Sequence, residues 1–185
     1  MFDFKEQLAI GEKGERLVKL FYERQTDDGS TKFIVKKTRI EEQLKGADLF
    51  IINNELGMKY VEVKTDTQTK DTGNVALEIQ IVQDDGTMQT GCQFKTFTDY
   101  MFYWAYPTNQ LYYWNPEQLI PFIVDWLRED KYRIIEAENK NFFSRNLIVP
   151  VDDLLATGVV RTINLSFHIL QEVEEGKEAN PASTS

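Results

Sequence analysis

Three charged residues interrupt two apolar segments in the stretch GADLFIINNELGMKYVEVKT, residues 46 to 65. Asp48 precedes the first apolar segment, whereas Glu62 and Lys64 lie within the second. Aspartate is depleted in strands, and the burial of an unpaired charge is costly, so charges in such a place usually need a partner. Two carboxylates and a lysine are suited to binding a hard divalent cation and a phosphate.

The pattern of this stretch predicts a β-hairpin that brings the three charges together. Side chains of a strand alternate between its two faces, so Val61 and Val63 point one way while Glu62 and Lys64 point the other. The polar turn NNELG folds the two strands back on each other, and Asp48 then faces the same end of the hairpin. We therefore expect the three charges to converge at its open end.

Other elements must hold this hairpin in place. Apolar residues at helical spacing predict a helix over residues 4 to 22, with Glu15 at the rim of its apolar stripe. A helix is also expected from Pro116, with Pro121 kinking it or delaying its start. Residues 84 to 91 read as a loop. Further strands are predicted for TKFIVKKT, VALEIQIV, QLYYW, YRIIEAE, NLIVP and VVRTINLS, and further helices for KTFTDYMFYWA and VDDLLAT. The aromatic segments YMFYWAYP and LYYW are expected in the core, although a base-stacking surface was the alternative.

The order of these residues resembles the PD-(D/E)XK nuclease superfamily. Asp48 is followed after thirteen residues by Glu62-Val63-Lys64 on a second strand, behind a helix that carries Glu15. The leading dipeptide is Ala-Asp and not Pro-Asp, which leaves the acidic ligand intact. The triplet [DE]-x-K occurs five times in the chain, but only Glu62-Val63-Lys64 has this context. The resemblance covers roughly residues 8 to 106 and implies an α/β, restriction-endonuclease-like core, with a central mixed sheet flanked by helices.

The resemblance also implies roles for individual residues. Asp48, Glu62 and the backbone carbonyl of Val63 would bind Mg²⁺, for which Mn²⁺ can substitute, and Lys64 would position the attacking water. Glu15 would join the metal site, as a helix glutamate does in resolvase-like members. The segment NVALEIQ…GCQFKTFTDYMFYWA is similar to one in small phage-type members, and on that basis the second-tier candidates are Glu78, Gln80 and Lys95.

Composition limits the classes of protein and partner. The chain of 185 residues suits one domain over residues 1–173, followed by a flexible acidic and polar tail over residues 174–185. A net charge of −9 is the wrong sign for coating nucleic acid by bulk charge, yet residues 31 to 70 hold eight Lys and Arg against six Asp and Glu. One Cys and one His exclude the usual zinc sites. We expect an intracellular, cytoplasmic protein with no membrane partner.

The expected function is metal-dependent hydrolysis of phosphodiester bonds, with DNA as the expected substrate. Two alternatives stay open. A Holliday-junction resolvase-type endonuclease would need a symmetric homodimer to cut two strands, and the sequence identifies no dimer interface. A non-catalytic interaction module could retain the same fold with a degenerate site. The simplest reading of Glu62 and Lys64 without catalysis is an ion pair on a solvated sheet face, which contributes little to stability.

Overall fold

A computed structural model describes residues 4–25, 32–55, 57–95, 97–139 and 141–176, with side chains described from residue 7 onward. The helices are α1 (Phe4–Arg24), α2 (Ile40–Gln43), α3 (Thr69–Thr72), α4 (Pro116–Arg128), α5 (Val151–Ala156) and α6 (Phe167–Glu174). The strands are β1 (Ile34–Lys37), β2 (Leu49–Asn53), β3 (Gly57–Asp66), β4 (Asn74–Gln83), β5 (Met88–Thr90), β6 (Tyr100–Ala105), β7 (Gln110–Trp114), β8 (Ile134–Glu138), β9 (Phe142–Pro150) and β10 (Arg161–Asn164). A 3₁₀ turn covers Cys92–Phe94.

The larger sheet is mixed and has six strands in the order β1-β2-β3-β6-β7-β10. Strands β2 and β3 form the antiparallel hairpin that the alternating pattern predicted, with Leu49 opposite Val61. Strand β6 then pairs with β3 in parallel, which requires a crossover between them. The α/β class and the mixed sheet flanked by helices are thus confirmed.

The crossover between β3 and β6 contains half of a second sheet. This sheet is antiparallel, with strands in the order β5-β4-β9-β8, and its longest pairing joins β4 to β9. Its inner face contributes Val75, Leu77 and Leu147 to a core that also contains Leu119 and Ile123 of α4. The second sheet therefore packs with α4 over one face of the larger sheet.

A separate core lies on the opposite face of the larger sheet. Helix α1 contributes Leu17, Val18 and Leu20, which pack on buried residues of β1, β2 and β3 such as Val63. Helix α6 contributes Val173 to the same core. None of the helices within the described ranges combines the length and the apolar character that a membrane-spanning helix needs.

Several local predictions differ from the structure. The segment predicted as a helix, KTFTDYMFYWA, contains β6 instead. Its residues Met101, Phe102, Tyr103 and Trp104 are at most 2% exposed, so both faces are buried and the run reads apolar without alternation. The predicted loop over residues 84 to 91 includes β5, and the region before the tail forms α6, which was not predicted.

Other local predictions are confirmed. Strands match the remaining predicted segments, and the aromatic side chains of β6 and β7 lie in the core. Helix α4 begins at Pro116 and continues through Pro121, so Pro121 did not delay its start. The proposed tail lies mostly outside the described residues, because only residues 174–176 of it are described.

A close contact between α1 and β3 depends on a glycine. A Cβ atom built on Gly14 would lie 2.0 Å from Thr65 Oγ1 and 3.3 Å from a methyl group of Val63. Because Thr65 is β-branched, two of its three χ1 rotamers point either the hydroxyl or the methyl group toward α1, so rotation offers little relief. Gly14 therefore allows α1 to lie directly against the part of β3 that carries the predicted catalytic residues.

We expect Gly14→Ala to destabilise the protein by about 1–3 kcal/mol, since the added methyl must push α1 away from β3. Gly11→Ala in the same helix is the matched control, because nothing lies within 4 Å of its built Cβ. The control should gain up to about 1 kcal/mol from the better helix propensity of alanine. Urea unfolding of the two variants measures both effects, and equal stability changes would contradict the packing argument.

Candidate active site

The structure brings together the three charged residues of the hairpin. Asp48 immediately precedes β2, and Glu62 and Lys64 lie on one face of β3. Lys64 Nζ is 2.9 Å from Glu62 Oε1. Glu62 is only 7% exposed, whereas the Lys64 side chain is 39% exposed. The ion pair thus joins a buried carboxylate to a partly exposed lysine.

The Asp48 carboxylate is fixed by the backbone of β3. Its Oδ2 accepts a hydrogen bond from the Val63 N–H at 2.8 Å. The side chain thereby occupies the place of a β2 backbone acceptor at the end of the strand pair. Two buried threonines fix the backbone of the two residues before Asp48. Thr38 Oγ1 donates a hydrogen bond to the Ala47 carbonyl, and Thr98 Oγ1 donates one to the Gly46 carbonyl.

Burial raises the pKa of Asp48 from 3.8 to about 7, and the negative charge of Glu62 adds to this shift. The hydrogen bond from Val63 and the positive charge of Lys64 act in the opposite direction, but they do not compensate. In the absence of a cation, Asp48 therefore exchanges its proton near neutral pH. This is the behaviour of a carboxylate that has too little positive charge around it.

Lys64 keeps its proton throughout this range. Burial opposes its charge, but the negative charges of Glu62 and Glu78 and the hydrogen bond to Glu62 outweigh burial and hold its pKa well above 10.5. The Cys92 thiol is itself neutral, because burial raises its pKa to about 12. Lys64 can therefore donate hydrogen bonds and supply positive charge, and it is not a base at neutral pH.

Glu15 of α1 lies beside the hairpin charges but pairs with another lysine. Its Oε2 is 2.8 Å from Lys37 Nζ on β1. This hydrogen bond raises the pKa of Lys37, and Asp48 is among the negative charges that raise it further. The predicted role of Glu15 as a metal ligand stays a prediction, and its carboxylate is engaged by Lys37, a residue that the sequence did not single out.

The second-tier candidates are distributed differently. Glu78 lines a cleft of about 190 Å³ together with Lys64, Asp66, Tyr103 and Asn146. Its Oε1 accepts a hydrogen bond from the Cys92 N–H at 3.1 Å. The cleft continues the face of β3 that carries Lys64 into the space between the two sheets, which makes Glu78 a neighbour of the site.

Unlike Glu78, Gln80 and Lys95 do not line the cleft beside Lys64. Gln80 accepts a hydrogen bond from Arg145 at 3.2 Å on the four-stranded sheet, beyond a break in the register after Glu78. Lys95 packs its aliphatic chain against Gly46, where its Cδ would be 2.4 Å from an added Cβ. Lys95 therefore supports the loop before Asp48, and Gln80 belongs to the second sheet.

Sequence reasoning missed the polar residues that complete the cleft. Asp66 accepts hydrogen bonds from Tyr103 and from Thr69 Oγ1, the latter at 3.0 Å. Burial and the charge of Asp66 raise the pKa of Tyr103, so this hydroxyl stays protonated. The only available sequence signal was that Asp66 shares a face of β3 with Glu62 and Lys64.

The described residues contain no set of three carboxylate, thiol or imidazole groups that forms a ready-made metal site. Glu62 and Glu15 each form an ion pair instead. Glu62 Oε1 is 2.9 Å from Lys64 Nζ, and Glu15 Oε2 is 2.8 Å from Lys37 Nζ. Asp48 and Glu62 form the pair of oxygen donors that the hairpin offers. Binding of a cation would therefore compete with two ion pairs.

Comparison with known proteins identifies no relative. No family model matches the chain, and neither the curated proteins nor the solved structures contain a significant match. The resemblance to PD-(D/E)XK nucleases therefore stays a prediction that depends on Asp48, Glu62, Lys64 and their arrangement.

We expect Asp48→Asn to stabilise the metal-free protein increasingly as the pH rises. The folded state binds a proton at Asp48 with a pKa of about 7 and the unfolded state with one of 3.8, so wild type loses stability as the pH rises through this interval. Asparagine retains an acceptor for the Val63 N–H and does not titrate. Between about pH 5 and pH 8 its advantage should grow by on the order of 2 kcal/mol.

Urea unfolding in the presence of EDTA at both pH values measures this difference. Asp71→Asn is the matched control, since it removes the same charge from a side chain that is 71% exposed. A stability difference between wild type and Asp48→Asn that does not change with pH would contradict the assigned environment of Asp48.

Proposed function

We propose that this chain is a metal-dependent nuclease that hydrolyses phosphodiester bonds, with DNA as its substrate and Mg²⁺ as its cofactor, for which Mn²⁺ can substitute. The observation that carries the proposal is the convergence of Asp48, Glu62 and Lys64 where β2 meets β3. We further propose that the six-stranded sheet and α1 form a restriction-endonuclease-like core. Its mixed topology and the place of the charges between two neighbouring strands support this assignment.

The donor set fits a hard divalent cation. Burial and the charge of Glu62 raise the pKa of Asp48, and a cation bound beside Asp48 would favour its ionised form. Magnesium commonly takes one or two carboxylates and completes its octahedron with water and phosphate oxygens. The Val63 carbonyl follows directly after Glu62 and, from the resemblance, is the backbone candidate for a third protein ligand.

When bound, Mg²⁺ would polarise the phosphate and lower the pKa of a coordinated water. The chain's own residues have separate roles. Asp48 and Glu62 would hold the cation, and the Val63 N–H keeps the Asp48 carboxylate in one orientation. Lys64 would donate a hydrogen bond to the attacking water and offset the negative charge that develops on the phosphate, since it remains protonated.

The local charge is compatible with a polyanionic substrate. Lys36, Lys37 and Lys45 lie around the hairpin and are exposed, although the chain as a whole carries a net charge of −9. A nuclease needs basic contacts only near the phosphates that it binds. Substrate binding should therefore weaken as the salt concentration rises.

The proposal predicts distinct defects for the three residues. Asp48→Asn and Glu62→Gln should abolish both cation binding and cleavage, because each replaces a negatively charged ligand with a neutral amide. Lys64→Met should retain cation binding and lose at least about 100-fold in cleavage rate, since it removes only the donor to the water. Asp71→Asn, at an exposed carboxylate, should leave both unchanged. Calorimetric titration with Mn²⁺ or Mg²⁺ measures cation binding.

Cleavage is measured on supercoiled, linear, single-stranded and four-way-junction DNA. Selective cutting of the junction would favour the resolvase alternative over a general endonuclease. A wild-type protein that neither binds a cation nor cuts any of these substrates would overturn the proposal, and the hairpin charges would then form a structural ion cluster in an interaction module.

A further inference from the structure

One face of the hairpin carries exposed aliphatic and half-buried aromatic side chains. On strands β1, β2 and β3, Val35, Leu49, Ile51 and Val61 point toward α1 and are buried. The residues between them point to the opposite face of the three strands. Ile34 and Met58 there are 44% and 51% exposed.

The side chains on this face form rows across the three strands. The strand register places Lys36 beside Phe50 and Phe50 beside Tyr60, and the next row consists of Ile34, Ile52 and Met58. On the other side of the Phe50 and Tyr60 row, the next residues on this face are Asp48 and Glu62. The row with Phe50 and Tyr60, the aromatic row, is thus adjacent to the charged site. It lies between that site and the aliphatic row of Ile34, Ile52 and Met58.

The aromatic row is extended by a third ring and a second lysine. Phe97, in the segment before β6, lies against Tyr60 with ring centroids 4.3 Å apart. The Lys45 ammonium lies 5.3 Å from the centroid of the Phe97 ring. We call Phe50, Tyr60 and Phe97, with the flanking Lys36 and Lys45, the aromatic platform. Its rings are half-buried and its two lysines are exposed.

We propose that the aromatic platform binds an unpaired nucleic-acid strand and directs its phosphodiester backbone to Asp48 and Glu62. This inference rests on the proposed nuclease function and specifies its substrate as single-stranded, or as duplex with an unpaired end. Nucleobases stack on aromatic rings regardless of sequence, and lysines beside the rings contact the phosphates. A protein partner would leave the two exposed lysines and the adjacent acidic site unexplained.

The spacing of the rows suits a nucleotide chain. Residues two apart on a strand are separated by about 7 Å, so the aromatic row lies about one nucleotide from the carboxylates and the aliphatic row about two. This distance matches an extended strand whose bases are unstacked from each other. The paired bases of a duplex present no free faces to such a surface, whereas an unpaired strand does.

Binding is measured by the fluorescence anisotropy of labelled dT12 and U12 in EDTA, where no cleavage can occur. Tyr60→Leu keeps apolar area but removes a ring, and we expect it to weaken binding of dT12 about tenfold. Lys36→Ala and Lys45→Ala should each reduce the slope of log affinity against log salt by about 0.7. A blunt duplex of the same length should bind more weakly than dT12 to wild type.

The controls are a ring and a lysine outside the platform. Phe167→Leu alters an aromatic side chain on α6 that is 81% exposed, and Lys131→Ala removes the ammonium 5.1 Å from the Tyr132 ring. Both should bind dT12 like wild type. Thermal unfolding of each variant verifies that it is folded, and Phe50→Leu provides a second ring variant should Tyr60→Leu fail to fold.

The experiment separates this inference from the proposed function. Equal binding of dT12 by wild type, Tyr60→Leu and Phe50→Leu, or tighter binding of the duplex, would overturn the platform even if the protein cuts DNA. Binding of dT12 or U12 that depends on Tyr60 and both lysines would support it even if no cleavage is observed. Concentration-dependent self-association that the platform variants abolish, without oligonucleotide binding, would identify a dimer face and overturn the inference.

Discussion

The structure around the site depends on one constraint, which is the place of the Asp48 carboxylate at the end of β2. Its hydrogen bond from the Val63 N–H replaces a bond of the sheet ladder, so the side chain stabilises the hairpin whenever it accepts. The same position leaves the carboxylate partly buried beside Glu62, which opposes its ionisation. Hydrogen bonding and desolvation thus act against each other at one carboxylate, and the proposed cation would favour its ionised form.

The neighbouring elements fix this arrangement from several directions. Gly14 allows α1 to lie against Thr65 and Val63, which brings Glu15 within reach of Lys37 at the edge of the site. Thr38 and Thr98 hold the turn before Asp48 by bonds to backbone carbonyls. These contacts join α1, β1, the hairpin and the segment before β6. The carboxylates are therefore held by contacts from several elements, as the preorganised charge of the proposed catalytic site requires.

Local patterns predicted the parts of the molecule that local interactions determine. The hairpin, Asp48, Glu62 and Lys64 follow from alternation over residues 46 to 65 and a short turn, so their proximity was readable from the sequence. Strand β6 was mistaken for a helix because burial on both faces removes alternation, and only its neighbours in the fold define it. The pairing of β4 with β9 and the ion pair of Glu15 with Lys37 join distant segments, and no periodicity within either segment encodes them.

The two halves of the larger sheet are covered unequally, and this difference separates core from surface among its aromatic residues. Strands β6 and β7 have a core on each side, so Phe102 packs toward α1 while Tyr103 and Trp114 pack toward α4 and the second sheet. Strands β1, β2 and β3 are covered by α1 on one side only, apart from Glu62, Lys64 and the cleft at their far end. A buried aromatic ring contributes mainly to the hydrophobic core, whereas a half-buried ring beside a charged site retains an accessible part for a ligand. The face of β1, β2 and β3 opposite α1 thus carries both the charged site and the half-buried aromatic rings.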